Sequence, residues 1–363
     1  MTLLHETIGR IRAVSQAAAA SARARQATLT KPAGSLGTLE RLHIQLAAIQ
    51  GTGLPSVRQP ALLVLAADHG VAEAGVSAYP QQVTGEMVRN FARGGAAINV
   101  IAQDAGARLM VADLGIDWRG TEPPAGIVRL PIGSGTANLA DGPAMTLDQA
   151  RASIEAGITL ATRLADDGAD LIALGEMGIG NTTASAALIA ALTGRPARDV
   201  TGMGTGIDHE RWQRKVAVIE RALERVAERP ADPLAALAEV GGFEIGALAG
   251  AIIGGAAAGI PILLDGLIVG AGALLAVALC PSVQPYLIAS HRSVEPGHRV
   301  VLELLELEPL MDLGLRLGEG SGAGIALHLI RLACKLPREM ATFGEAGVST
   351  QVTQADMPSA RSS

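Results

Sequence analysis

Aromatic side chains are almost absent: two Trp, two Tyr and three Phe make up 2% of the 363 residues. Platforms that bind single-stranded nucleic acid stack bases on such rings, so that class is disfavoured. Positive charge is short too, with 29 Lys and Arg against 35 Asp and Glu for a net −6. That is the wrong sign for a general nucleic-acid binder. Cysteine is limited to Cys280 and Cys334, both in apolar surroundings. They read as reduced core thiols and offer no disulfide framework. The seven His are scattered, with no His-x-x-x-His pair and no His/Cys cluster, so no metal site is expected. A Gly-Lys-Ser/Thr phosphate loop and a Gly-x-Ser-x-Gly elbow are both missing. This argues against P-loop ATP hydrolysis and against the α/β-hydrolase nucleophile. The N-terminal stretch 1–25 has Glu6, Arg10 and Arg12 among its apolar positions, unlike a signal peptide. A cytoplasmic location is expected. Leu3, Leu4, Ile8, Ile11 and Val14 recur there at helical spacing, which predicts an amphipathic helix.

Hydrophobic residues reach 49%, enough for a large core and too many for a disordered or fibrous chain. One run needs a direct test. From Ile245 to Leu264 there is no charge, and after Asp265 the apolar run resumes to about Ser290. By length it could hold membrane helices, which need about 20 apolar residues each. Pro261 and Asp265-Gly266 interrupt it, and no Lys or Arg lies between Arg229 and Arg292 to orient it. A buried helix packed closely through Gly250, Gly254, Gly255 and Gly259 fits better, so no membrane partner is expected.

Two N-terminal helical pieces flank a Pro/Gly loop at 30–37, the second helix covering about 39–50. Strand and helix patterns then alternate. Strands are expected near 61–67, 108–113, 170–174, 260–264 and 286–290. Helices are expected near 82–102, 147–167, 182–192, 212–228, 243–259, 267–279, 300–307 and 322–336, with Pro230 stopping the fourth. The β-α order predicts an α/β fold with a mostly parallel sheet covered by helices on both faces. Function should collect at the strand tips. The tail after about Glu345 lacks an apolar period and is expected to be loose.

Glycine is abundant, 44 residues, and four Gly-rich loops mark these tips. Each offers backbone N–H groups that can bind an anion. In 175–183, Gly178 and Gly180 let the backbone approach a ligand, and Asn181 or Thr182 can cap a helix. Glu176 does not fit an anion site, so it either binds ribose hydroxyls or handles a proton. The loop 201–206 is a poor dinucleotide fingerprint and a better phosphate cradle, with Lys215 as a counter-charge. In 290–297, His291 is either an acid/base or a structural hydrogen-bonder, and Ser293 can donate to phosphate. In 316–324, Glu319 lies between glycines just before a helix. It is either a general base of raised pKa or a carboxylate satisfying the helix dipole. Asp265 and Asp68-His69-Gly70 sit at further tips. Spacing alone stops at an α/β enzyme that binds a phosphorylated small molecule and uses two glutamates.

The ordered set of motifs goes further. Lys31-Pro-Ala-Gly-Ser-Leu-Gly37, Ala67-Asp-His-Gly70, Gly94-Gly-Ala-Ala-Ile-Asn99, Gly175-Glu-Met-Gly-Ile-Gly-Asn-Thr-Thr183, Pro261-Ile-Leu-Leu-Asp-Gly266, Ser290-His291 and Arg316-Leu-Gly-Glu-Gly-Ser-Gly322 resemble the nicotinate-nucleotide–dimethylbenzimidazole phosphoribosyltransferase family. The resemblance spans about residues 5 to 340. It implies phosphoribosyl transfer from nicotinate mononucleotide to 5,6-dimethylbenzimidazole, with β-to-α inversion and no cofactor. It implies a Rossmann-like α/β domain at 56–324, a small helical domain from 1–55 and 325–345, a loose tail at 346–363, and a homodimer. By motif, Glu319 matches the general base and Glu176 the second active-site carboxylate. Gly178, Asn181, Gly204, Lys215, Asp265 and Ser293 would hold the nucleotide. Tyr79, Pro80, Glu86, Met87, Met177 and Leu317 would line the base pocket, where methionine adapts to planar faces. Glu86 and Met203 depart from the family pattern, which favours Gln and Arg there. Alternatives are the same transfer to another base or a phenol, and a non-catalytic nucleotide-binding protein. The two glutamates argue against the latter.

Overall fold

A computed structural model describes residues 2–204, 206–227 and 232–350. Its strands are β1 (Pro60–Ala67), β2 (Arg108–Gly115), β3 (Val128–Arg129), β4 (Leu171–Met177), β5 (Ile262–Leu264) and β6 (Leu287–Ala289). They form one sheet in the order β3-β2-β1-β4-β5-β6, and every pairing is parallel. All eight residues of β1 are buried, as a strand covered on both faces requires. The order reverses between β1 and β4, so a crevice opens at their carboxyl ends. Leu65 pairs with Glu176 and Ala66 with Met177. That register brings the tips Asp68-His69-Gly70 and Gly178–Gly180 side by side.

The charge-free run divides into helix Phe243–Ala257, β5 and helix Leu267–Leu279. The helices have 15 and 13 residues, short of the ~20 a span needs. Among the described residues, no helix is long and apolar enough to cross a membrane. Phe243–Ala257 packs instead against Leu147–Asp166, a helix opened by a Thr146/Gln149 capping box. A Cβ on Gly157 would strike the Ala247 carbonyl, and one on Gly250 the Ile154 carbonyl. The two helices therefore touch backbone to backbone.

Several boundaries differ from the sequence expectation. The helix expected at 82–102 is two, Val83–Arg93 and Ala97–Asp104. Gly94, at φ +80°, ends the first in a left-handed turn. The N-terminal amphipathic helix is also broken. Leu3–Ile8 stops at Gly9, and Gln16–Thr28 begins after Ser15, whose Oγ accepts the Ala18 N–H. The helix expected at 300–307 is Pro296–Leu304, started by proline at its first turn. Helix Pro233–Val240 and the two-residue β3 are too short to show a period. Pro230 and residues 351–363 lie outside the described residues.

The chain divides into a large unit, Met1–Ala13 with Val57–His328, and a small one, Val14–Ser56 with the chain from Leu329 on. The first thirteen residues thus group with the large unit and not with the helical segment 1–55. There the Leu4 N–H donates to Glu155 Oε1, and the Tyr286 hydroxyl donates to the Arg12 carbonyl. Within the small unit, Lys31 pairs with Glu40 at 2.8 Å, and buried His43 bonds Gln26 and the Gly53 carbonyl.

Gly250→Ala should lower stability by roughly 1–3 kcal/mol, the usual cost of overpacking, although alanine is the better helix former by about 1 kcal/mol. Urea unfolding followed by circular dichroism reads the difference. An unchanged or raised midpoint would disprove the backbone contact.

Candidate active site

Glu176 sits at the next-to-last position of β4, 6% exposed. Asn181 Nδ2 donates to its Oε2. Asn181 opens helix Asn181–Thr193 directly after Gly180, whose φ of +98° turns the chain there. Gly178 has no room for a side chain, because a Cβ would press on the Ala67 carbonyl at 2.6 Å. Burial, followed by the charges of Asp265 and Glu244, pushes the Glu176 carboxyl up to about 8.

Glu319 lies in the left-handed region at φ +62°, between Gly318 and Gly320, both at φ +84°. For a residue with a Cβ this costs on the order of 1–2 kcal/mol, and such strain gathers where chemistry needs it. The Glu319 side chain is buried and its Oε2 has no hydrogen-bond partner. Burial raises its pKa; the Ile98 backbone N–H opposes the rise and the Asp265 charge adds to it. Asp265 follows β5 and is 1% exposed. Its Oδ2 accepts the Gly320 N–H at 3.2 Å, and its Oδ1 accepts those of Gly322 and Ala323 at 2.8 and 3.1 Å. Burial pushes this carboxyl up to about 7 against the pull of those donors.

Lys215 reaches in from helix His209–Ala227, fully buried. Its Nζ donates to Thr182 Oγ1 at 2.9 Å and to the Gly202 carbonyl at 3.4 Å. Burial pulls the amine down to about 8, while the Glu295 charge acts the other way. Glu295 Oε1 accepts the Gly204 N–H at 2.8 Å, and its Oε2 is unpartnered. The Ser293 N–H donates to His298 Nδ1 at 3.0 Å. Burial, then His291, takes His298 down to about 3, so that ring is a neutral acceptor.

These groups surround a cavity of about 370 Å³, within the range of small-molecule sites. Of the residues expected from sequence, Glu176, Gly178, Asn181, Gly204, Asp265, Ser293, Glu319, Tyr79, Met87, Met177 and Leu317 are on its wall. Tyr79 and Leu317 are more than half exposed. Three expected residues are not on the wall. Lys215 stands behind it, acting through Thr182. Pro80 and Glu86 are exposed and outside it. Glu86 is on the solvent side of helix Val83–Arg93, and Val83 and Met87 take the wall positions. Met203 is likewise exposed and off the wall. Thr182, Glu295 and Arg316 line the cavity without having been singled out as ligand contacts. Each is a polar residue inside a Gly-rich loop already read as functional, which was the available signal. A larger cavity, about 590 Å³, is walled mostly by Ala and Leu, with Arg195, Asp232 and Glu239 as its charged groups. It contains none of the Gly-rich strand-tip loops and neither Glu176, Asp265 nor Glu319. Among the described residues, no three His, Cys, Asp or Glu side chains group as a metal would require.

Glu176 and Asp265 share one sign of linkage. Each titrates higher folded than unfolded, so each contributes stability that is complete below about pH 4. That stability is lost as pH rises through about 7 for Asp265 and about 8 for Glu176. Glu176→Gln removes one such group, so its stability relative to the parent should improve steadily from about pH 5 to about pH 9. Urea midpoints across that range would contradict this if the difference stayed constant.

A family model described as "Phosphoribosyltransferase" matches residues 11–348. A nicotinate-nucleotide–dimethylbenzimidazole phosphoribosyltransferase from Roseiflexus sp. (strain RS-1) is 54% identical over 352 residues, covering 97% of this chain and 99% of its own length. One of the same name from Pseudomonas putida KT2440 is 55% identical over 333 residues, covering 92% and 95%. The crystal structure of CobT from Thermus thermophilus superposes with a TM-score of 0.88 at 50% identity, covering 92% of this chain and 99% of that one. The chain belongs to the nicotinate-nucleotide–dimethylbenzimidazole phosphoribosyltransferase family.

Proposed function

We propose that the protein transfers the phosphoribosyl group of nicotinate mononucleotide to 5,6-dimethylbenzimidazole. The products are nicotinate and α-ribazole 5′-phosphate, the unit from which the lower ligand of cobalamin is built. The observation that carries this reading is Glu319. It is a buried carboxylate with a free oxygen, held in strained backbone at the wall of a cavity with an apolar side and a glycine-lined polar side.

A neutral azole is a weak nucleophile whose attack would leave a cationic product. Glu319 takes the N–H proton of one ring nitrogen as the other forms its bond to C1′. The C1′–N bond of the nucleotide breaks, and its electron pair neutralises the pyridinium nitrogen of the departing nicotinate. Attack from the face opposite the leaving group converts β to α. Glu176, oriented by Asn181, contacts the ribose, and the dipole of its carboxyl group supports positive charge that develops at C1′. Val83, Met87, Met177 and Leu317 supply the apolar wall for the flat ring. The phosphate lies toward Gly178, Gly204 and Ser293, with Lys215 behind them and Arg316 at the rim. We take the working form to be a homodimer in the cytoplasm. Sedimentation of the purified protein tests the dimer.

Purified protein mixed with nicotinate mononucleotide and 5,6-dimethylbenzimidazole should release nicotinate and α-ribazole phosphate, resolved by chromatography. Glu319→Gln should reduce kcat by roughly 10²- to 10⁴-fold, the usual worth of a general base. Product from another base or a phenol in competition, with none from dimethylbenzimidazole, would favour the alternative acceptor. Because Glu319 titrates above the ordinary carboxylate range, kcat should climb with pH until that group has lost its proton and then level off. A flat acid side would remove Glu319 from the role.

Lys215→Met should raise KM for the nucleotide by roughly 10- to 100-fold, as loss of a charge-assisted bond of about 1.5–3 kcal/mol requires. Its kcat should change little. A fall in kcat at constant KM would place Lys215 elsewhere in the reaction.

A further inference from the structure

We infer that Asp265 is a positioning residue that clamps the Glu319 loop in its working conformation, and that it is not a contact for the nucleotide. The inference rests on the reading of Glu319 as the base.

The loop is held in a conformation it would not adopt alone. Gly318, Glu319 and Gly320 all have positive φ, and a strained segment persists only where its surroundings over-determine it. On one side the constraint is steric. A Cβ on Gly175 would lie 2.5 Å from the Glu319 carbonyl oxygen and from the Gly320 nitrogen, so β4 presents bare backbone to the loop. On the other side the loop's backbone donors are taken up by Asp265, which accepts the N–H of Gly320, Gly322 and Ala323. A carboxylate has about four lone-pair positions. Backbone donors take three of them, on both oxygens, so the carboxyl group is committed chiefly to the loop. The bond to Gly320 fixes the residue next to Glu319, and the other two anchor the first turn of helix Ser321–Glu339. Asp265 itself extends from the end of β5, inside the sheet. The base is thus tied to the sheet through one carboxylate.

Asp265→Asn tests the clamp with little change of volume. Its amide oxygen can keep Gly322 and Ala323, but its NH₂ then opposes the Gly320 N–H, donor against donor. A misplacement of the base by about 1 Å predicts a kcat loss of roughly 100-fold, with KM for both substrates within about threefold. The double variant Asp265→Asn/Glu319→Gln should be no slower than Glu319→Gln alone, since residues that act as a unit are not additive. Additive losses, an unchanged kcat, or a raised nucleotide KM at normal kcat would each overturn the inference. Asp265→Glu keeps the carboxyl group and provides a second test should the Asn variant melt early. Its extra methylene displaces the loop, so it should also lose kcat, and full activity in it would equally count against the clamp. A crystal structure of a folded variant gives a readout apart from turnover: residue 319 should leave positive φ, and retention of φ near the parent value would disprove the clamp. Absence of product from the parent enzyme would instead refute the proposed reaction and leave that structural test standing.

Discussion

The contact of one loop backbone with another strand's backbone, at Gly175, determines what this site can be. Where β4 reaches the crevice, the missing side chain lets the Glu319–Gly320 peptide lie directly on the strand. Any Cβ there would lift the loop and carry Glu319 away from Glu176, the next residue along β4. The same device operates lower in the fold, where Gly157 and Gly250 bring two helices into backbone contact. Much of the glycine in this chain serves close approach as well as turning. The sheet places the strand tips together, and bare backbone decides how near the carboxylates come.

That nearness has an electrostatic cost. Glu176, Asp265 and Glu319 are all buried, and desolvation leads the causes that raise each carboxyl. Their charges also act on one another. The three are nevertheless treated differently. Asp265 has its oxygens occupied by backbone donors, Glu176 is held by one side-chain amide, and Glu319 retains an unpartnered oxygen. Similar burial with unequal hydrogen bonding separates a structural acid from one able to receive a proton. Positive charge developing at the sugar meets carboxyl oxygens whose dipoles are already fixed in place.

Fold and site were unevenly legible in the sequence. The alternation of apolar runs and Gly-rich tips was enough to expect a parallel sheet, because strands covered on both faces carry continuous hydrophobic stretches. Helix Leu267–Leu279 has the bounds expected from its apolar run after Asp265-Gly266. The break at Gly94-Gly95 was less visible, since apolar residues continue in register on both sides of it. Glu176 and Glu319 stood out as acids inside loops otherwise built for anions. Asp265 was noticed for its place at a strand tip, but its partners are backbone atoms about 55 residues away, and a sequence pattern does not record such bonds. Glu86 was placed in the base pocket by motif. One helical step turns Met87 to the cavity and leaves Glu86 exposed, off its wall.

The left-handed backbone at Glu319 also bears on how such a chain can drift. Glycine is the residue that the local conformation favours there, so the chain carries a carboxylic acid at a position where folding alone would prefer another residue. Selection for thermal resistance alone would favour glycine at this position and yield a sturdier protein without that carboxyl group.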